Sequence, residues 1–287
     1  MPLHPHIILF LILFLSAFAA LSAFPARAEV HFTQPRDNWY QSALLRLTAF
    51  KTGESDCLLL ECGGQAMMID GGGEKWREET RDALIARGVT GFTYLLSTHD
   101  HEDHIGGLIW LMRYGFHADA FLTPYAQTAE VSSLQAQALK AAEAAGIPVI
   151  TVGHMDELFL GEAMIVLLRH EDGINVNARS LVARVDFGNA SLLLTADIVG
   201  LTQRWLLAEC PALLDVDVLK APHHGITAVV GEFLDEASPL APLVTNTQSR
   251  ANVRAQATSR NLPVYYSGNA GVVFETDGQD WYIYQLP

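Results

Sequence analysis

The segment Ser97-Thr98-His99-Asp100-His101-Glu102-Asp103-His104-Ile105-Gly106-Gly107 holds three histidines, two aspartates and one glutamate within six consecutive positions, in a chain with 11 histidines in all. Chance enrichment in a solvated loop is a poor account of that density. Imidazole and carboxylate together suit borderline divalent cations, zinc or manganese above all. A loop running from an apolar strand into a helix converges alternate side chains on one point. His99 and His101 then share one ion, and Asp103 and His104 take a second. Gly106-Gly107 lets the backbone turn closely around the site.

Two ions about 3.5 to 4 Å apart require a shared carboxylate and further imidazoles from elsewhere in the chain. Leu192-Leu193-Leu194-Thr195-Ala196-Asp197 reads as a buried strand ending in a carboxylate. A bare Asp197 there costs several kcal/mol unless a metal or a donor compensates it; capping the helix that follows is the alternative use. Asp217-Val218-Leu219-Lys220-Ala221-Pro222-His223-His224-Gly225 is a second strand leading into histidines. In such a pair one histidine ligates while the other donates a proton or a hydrogen bond to substrate. Lys220 reads as a strand-end surface charge. Asp70, before Gly71-Gly72-Gly73, reads as a turn former or as a partner that orients a ligand histidine.

These segments need a scaffold that brings strand ends together. Ala43 to Phe50, Cys57 to Cys62 and Ala66 to Ile69 read as short strands divided by turn residues. From Glu74 the period becomes helical as far as Arg87. A buried strand, Phe92 to Leu96, follows, then helices at Ile105 to Tyr114 and Glu130 to Ala145. The second half repeats the style, with strands near Val149 to Val152, Met164 to Arg169, Leu181 to Phe187, Ser191 to Thr195 and Asp217 to Lys220. Helices fall at Gly200 to Glu209 and Val229 to Glu236, and strands at Leu243 to Asn246, Val264 to Tyr266, Val272 to Glu275 and Trp281 to Gln285 close the chain. Two similar halves of alternating strands and helices predict an α/β fold of two sheets face to face with helices outside, in one domain.

Of the 287 residues 50% are hydrophobic and 17% charged, enough apolar material for a full core. A net charge of −14 argues against binding nucleic acid by neutralising phosphates. Ile7 to Phe24 is an apolar run ending in Pro25 and Ala26-Arg27-Ala28, which reads as a signal peptide over residues 1–28 with cleavage after Ala28. The mature domain is then 29–287, periplasmic or secreted, with no stable membrane insertion once the signal is removed. Cys57, Cys62 and Cys210 do not make a disulfide framework. Cys57 and Cys62 sit at odd spacing and point to opposite faces of a strand.

Taken in order, Asp70-Gly71-Gly72, His99-x-His101-x-Asp103-His104, Asp197 and His223-His224 resemble the metallo-β-lactamase superfamily of binuclear metallohydrolases. Within it the chain is most similar to the hydrolase domain of ComEC-type DNA-uptake proteins. That similarity lies in Phe50-Lys51-Thr52-Gly53-Glu54-Ser55-Asp56-Cys57, Ser180-Leu181-Val182, Lys220-Ala221-Pro222-His223-His224-Gly225 and Tyr265-Tyr266-Ser267. The resemblance implies a four-layer αββα sandwich of two mixed β-sheets with outer helices. It implies His99, His101 and Asp197 at a first ion, and Asp103, His104, Asp197 and His224 at a second, with His223 facing substrate. The chain departs from the pattern at several places. Asn175-Val176-Asn177 stands where a third histidine is usual, and His170 lies too early to serve as the missing ligand. Ala196 replaces a usual glycine, Ser55 the second glycine of the turn, and the Gly-His-Pro segment expected after the later strand is absent from Asn246 to Arg254.

The expected function is that of an exported binuclear hydrolase, with two divalent ions, Zn²⁺ or Mn²⁺, bridged by a hydroxide that attacks phosphorus or a carbonyl carbon. Asp103 orients the hydroxide, and His223 or Lys220 serves the leaving oxygen, Lys220 being left out of the site as a strand-end surface charge. A shared Asp197 and the acidic charge favour a phosphodiesterase on a small-molecule or cell-envelope phosphodiester. The rivals are an extracellular nuclease, a β-lactamase-like hydrolase and a non-catalytic metal-stabilised binding protein.

Overall fold

A computed structural model describes residues 27–33, 44–126, 131–247 and 251–286. Sixteen strands among them form two mixed sheets. In the first, nine strands run in the order β1 (Val30–Phe32), β16 (Trp281–Gln285), β15 (Val272–Thr276), β2 (Leu45–Ala49), β3 (Cys57–Cys62), β4 (Gln65–Gly71), β5 (Gly91–Leu96), β6 (His117–Thr123) and β7 (Val149–Thr151). In the second the order is β14 (Tyr265–Tyr266), β13 (Ala241–Val244), β12 (Val218–Lys220), β11 (Ala190–Leu194), β10 (Val182–Phe187), β9 (Ala163–Leu168) and β8 (Glu157–Leu160).

Side-chain alternation builds the layers. Leu45, Leu47, Leu58, Leu60 and Ile69 of the first sheet meet Leu167, Ala183, Val185, Leu192 and Leu243 of the second in one core. The opposite face of the first sheet, with Leu59, Met68 and Phe121, packs on α1 (Arg77–Ala86), α2 (Glu102–Arg113) and α3 (Ser133–Ala145). The outer face of the second, with Leu193 and Leu219, packs on α4 (Gly200–Glu209) and α5 (Gly231–Ala237). This is the expected four-layer αββα sandwich. Cys57 and Cys62 fall in different cores, as their spacing predicts, and all three cysteines are free and buried.

The sequence reading omits β1, β6, β8 and helix α6 (Ala251–Ser259). β1 and β8 are short edge strands with mixed burial, and β6 begins with exposed His117 and Asp119, so none presents an apolar run. Ser132 caps α3 by accepting the Gln135 N–H at 3.1 Å, which starts that helix after Glu130. Residues 1–26 of the expected signal peptide lie outside the described residues. No helix among the described residues is long and apolar enough to cross a membrane.

Candidate metal centre

The residues singled out in sequence arrive at one place because β4, β5, β11 and β12 deliver their C-terminal ends there. β4 carries Asp70 one residue before its end, β5 leads into His99 and His101, β11 into Asp197, and β12 into His223-His224. Helix α2 starts at Glu102, three residues earlier than the apolar spacing suggests. Asp103 and His104 are therefore fixed on its first turn rather than in a loop. Gly71 and Gly107 let this helix touch β4 backbone to backbone. Gly107 N donates to Gly72 O at 2.7 Å, and a Cβ on Gly107 would collide with Gly71 O.

Each buried imidazole is held by one nitrogen and presents the other inward. His104 Nδ1 lies 2.7 Å from Asp70 Oδ2. Asp70 is itself pinned by the Thr98 N–H at 2.8 Å and the Thr98 hydroxyl at 2.6 Å, so it orients His104. His224 Nδ1 lies 3.1 Å from both Asp56 Oδ1 and Thr245 Oγ1. His99 Nδ1 lies 3.0 Å from Thr98 Oγ1. The Nε2 atoms of His99, His104 and His224, together with Asp197 Oδ1, are buried without a hydrogen-bond partner. Buried polar atoms are rarely left so, and cations bound on either side of Asp197 would satisfy all four. This donor set fits divalent metal ions.

Asp197 stands at the centre. Its Oδ1 is 3.3 Å from His104 Nε2 and 3.5 Å from His224 Nε2, whereas its Oδ2 is 3.9 Å from His99 Nε2 and 3.7 Å from His223 Nε2. Asp103 Oδ2 approaches His224 Nε2 at 3.3 Å. Donor atoms of His99, His101 and Asp197 lie within 4.8 Å of one another, as do those of Asp56, His104, Asp197 and His224. Asp56 and Asp70 both engage Nδ1 atoms, on the far side of the rings from the inward nitrogens, so they support ligands rather than share an ion with them.

Electrostatics agree with this division. Burial pushes His99 well below the usual histidine range, which leaves it neutral and ready to ligate. Burial also works against protonated His104, but Asp197 and Asp70 outweigh it and raise that imidazole well above the ordinary value. Asp197 is held well below the carboxylate range by His104 and His224 despite the opposing effect of burial. His223, with a side chain 25% exposed, faces the open side of the cluster. Burial lowers it while Asp197 opposes.

Two participants escape the sequence reading. Lys220 is not a surface charge. Its side chain is fully buried, with Nζ 2.6 Å from Asp56 Oδ2 and 2.7 Å from Ala196 O. The available signal is its place between Val218-Leu219 and Ala221, where a central strand buries both faces. Asp56 sits in a turn that sequence alone marks only as a resemblance. His170 stays apart from the cluster, its ring stacked 4.9 Å from that of Trp205. Of the Asn175-Val176-Asn177 stretch, Asn175 Oδ1 caps Ala178 N at 2.8 Å.

A profile of the Metallo-beta-lactamase superfamily matches residues 51–245. The chain belongs to that superfamily. Among solved structures, the metallo-beta-lactamase fold protein YhfI from Bacillus subtilis is similar at TM-score 0.57 and 14% identity, over 81% of this chain and 99% of that one. Igni18, a metallo hydrolase from the archaeon Ignicoccus hospitalis, is similar at TM-score 0.51 and 15% identity, over 81% and 99%. CmlA, a diiron beta-hydroxylase from Streptomyces venezuelae, is similar at TM-score 0.53 and 14% identity, over 81% of this chain and 54% of that one. No curated protein matches the chain. At these identities the likeness is one of fold. Superfamily membership and the buried His/Asp cluster together describe a metal-binding site of the hydrolase type. The superfamily's usual glycine before the central aspartate is Ala196 here, and it keeps the left-handed conformation that glycine favours, with φ of 45°.

Proposed function

We propose that the protein is an exported binuclear phosphodiesterase. The observation that carries this reading is the placement of Asp197, one carboxylate oxygen facing His104 and His224 and the other facing His99 and His223. A carboxylate so placed can serve two ions side by side, and a phosphodiester anion offers two non-bridging oxygens to meet them.

Two divalent cations bound there, Zn²⁺ or Mn²⁺, would supply an acidified water and neutralise charge building on phosphoryl oxygens. His99, His101 and Asp197 would hold one, and Asp103, His104, Asp197 and His224 the other. The chain's own part is to aim the inward nitrogens. Asp70 and Asp56 do so through the Nδ1 atoms of His104 and His224. Asp103, 38% exposed, orients the attacking water, and His223 on the open side donates a hydrogen bond to the leaving oxygen.

Export rests on the apolar run and the Ala26-Arg27-Ala28 motif. Cleavage after Ala28 leaves Glu29 directly before β1, whose pairing with β16 is untouched. N-terminal sequencing of exported protein should begin at Glu29; an intact residue 1–28 segment would indicate a membrane anchor.

Metal-dependent release of p-nitrophenol from bis(p-nitrophenyl) phosphate, with no turnover of a chromogenic cephalosporin, is the expected result. Hydrolysis of the cephalosporin alone would overturn the phosphodiesterase reading. Resemblance to ComEC-type hydrolase domains favours nucleic acid as a second candidate substrate, and the net charge of −14 weighs against it. Degradation of DNA or RNA with affinity falling steeply in salt would favour the nuclease.

A further inference from the structure

Beside the cluster stands a wall whose chemistry the hydrolysis leaves unused. Asp100, between His99 and His101 in the chain, accepts a hydrogen bond from the Tyr125 hydroxyl at 2.9 Å. The Arg169 guanidinium lies over the Tyr125 ring, 5.8 Å from its centroid, an arrangement that holds the cation through the ring's negative face. Arg169 Nε donates to Arg179 O at 3.0 Å. Two residues beyond Arg179, the Leu181 N–H donates to Thr98 O at 3.1 Å. The Arg169 side chain and the Arg179 backbone therefore adjoin the loop that presents His99 and His101.

Neither guanidinium has a carboxylate within 4.0 Å among the described residues, and Arg179 Nε is buried without a hydrogen-bond partner. Burial and the neighbouring Arg179 charge both work against the Arg169 cation, while Tyr125 and the more distant Glu171 support it. Half-buried, unpaired cations are costly to keep. In a chain of net charge −14, with acidic groups in excess, two arginines held side by side without acidic partners are placed to receive an external anion.

We propose that Arg169 and Arg179 form an anion subsite for a second phosphate of the substrate, so that the preferred substrate is a phosphodiester bearing a further phosphate near the scissile one. The inference rests on the phosphodiesterase reading above. Two planar guanidiniums match the charge and the several oxygens of a phosphate dianion, whereas a carboxylate needs only one. The Tyr125 ring stands between Arg169 and Asp100, so the second phosphate is set off from the reacting one by a spacer such as a pentose rather than joined to it directly.

Thymidine 5′-(p-nitrophenyl phosphate) and its 3′-phosphorylated counterpart differ only in that second phosphate. On metal-loaded protein the 3′-phosphorylated ester should have a kcat/KM higher by about 10-fold to 100-fold, the range of one or two charge-assisted hydrogen bonds. Calorimetry should show thymidine 3′,5′-bisphosphate binding more tightly than thymidine 5′-monophosphate by a similar factor. Arg169→Gln and Arg179→Gln should each draw both ratios toward one. Equal rates and equal affinities in the unaltered protein overturn the subsite without recourse to any variant, as does a preference that survives both substitutions. If the bisphosphate binds preferentially through these arginines while neither ester is turned over, the subsite stands and the phosphodiesterase reading falls.

Discussion

Lys220 Nζ lies 2.6 Å from Asp56 Oδ2, a fully buried ion pair that joins the end of β12 in one sheet to the start of β3 in the other. Asp56 in turn holds His224 Nδ1, so the pair fixes the aim of an inward imidazole across the sandwich. Burial opposes the Asp56 charge, but Lys220 and His224 outweigh it and hold its carboxyl far below the usual range.

Lys220→Met should therefore destabilise the protein by about 3 to 5 kcal/mol, because it leaves a buried carboxylate short of its cation. Chemical denaturation measures this. The double variant Lys220→Met with Asp56→Asn should recover part of the loss, since no unpaired charge remains. A double variant no more stable than the single one would show that the pair's charges are not what matters.

Asp70→Asn should weaken metal binding by about 10-fold to 100-fold with little change in fold, since it removes the carboxylate that aims His104. Zinc titration against a competing chelator reads this. Unchanged affinity would mean that the helix backbone alone positions His104.

Metal analysis of the unaltered protein should give two ions per chain, and Asp197→Ala should lose both, because its two oxygens face separate sets of imidazoles. His170→Ala should keep full metal content, its ring being stacked on Trp205 outside the cluster. His223→Ala should also keep its metal while turnover falls by roughly 10²-fold to 10⁴-fold, the range for a lost proton donor. Loss of metal in His223→Ala would make that residue a ligand instead.

In the metal-free protein, burial alone would lower His224, but Asp56, Asp103 and Asp197 prevail and raise it to about 10. Protonated His224 cannot ligate, so metal affinity should climb as pH rises. A folded-state value above the unfolded 6.5 means that this proton stabilises the metal-free fold fully below about 6.5 and progressively less as pH rises through about 10. The Tm of chelator-treated protein should fall over that window, while the metal-loaded protein should not follow it. A flat metal-free profile would show that His224 is already neutral.

Sequence alone was sufficient wherever information is local. Strand periodicity separated Cys57 from Cys62 onto opposite faces, helical spacing marked Gly200–Glu209, and the density of imidazoles between His99 and His104 marked a candidate metal loop. The alternation of strands and helices in two halves was enough to predict the sandwich, since each face must be buried against something. What only the tertiary structure decided is how distant residues share one dielectric environment. Asp56 and His224, 168 residues apart, meet because β3 and β12 lie in facing sheets. Lys220 looks like a solvated strand end until the Asp56 turn of the facing sheet closes over it, and Arg169 looks like an ordinary surface charge until the fold lays it over the Tyr125 ring, against the Arg179 carbonyl. Charge pairing and burial act through space rather than along the chain, so no local pattern of residues announces them.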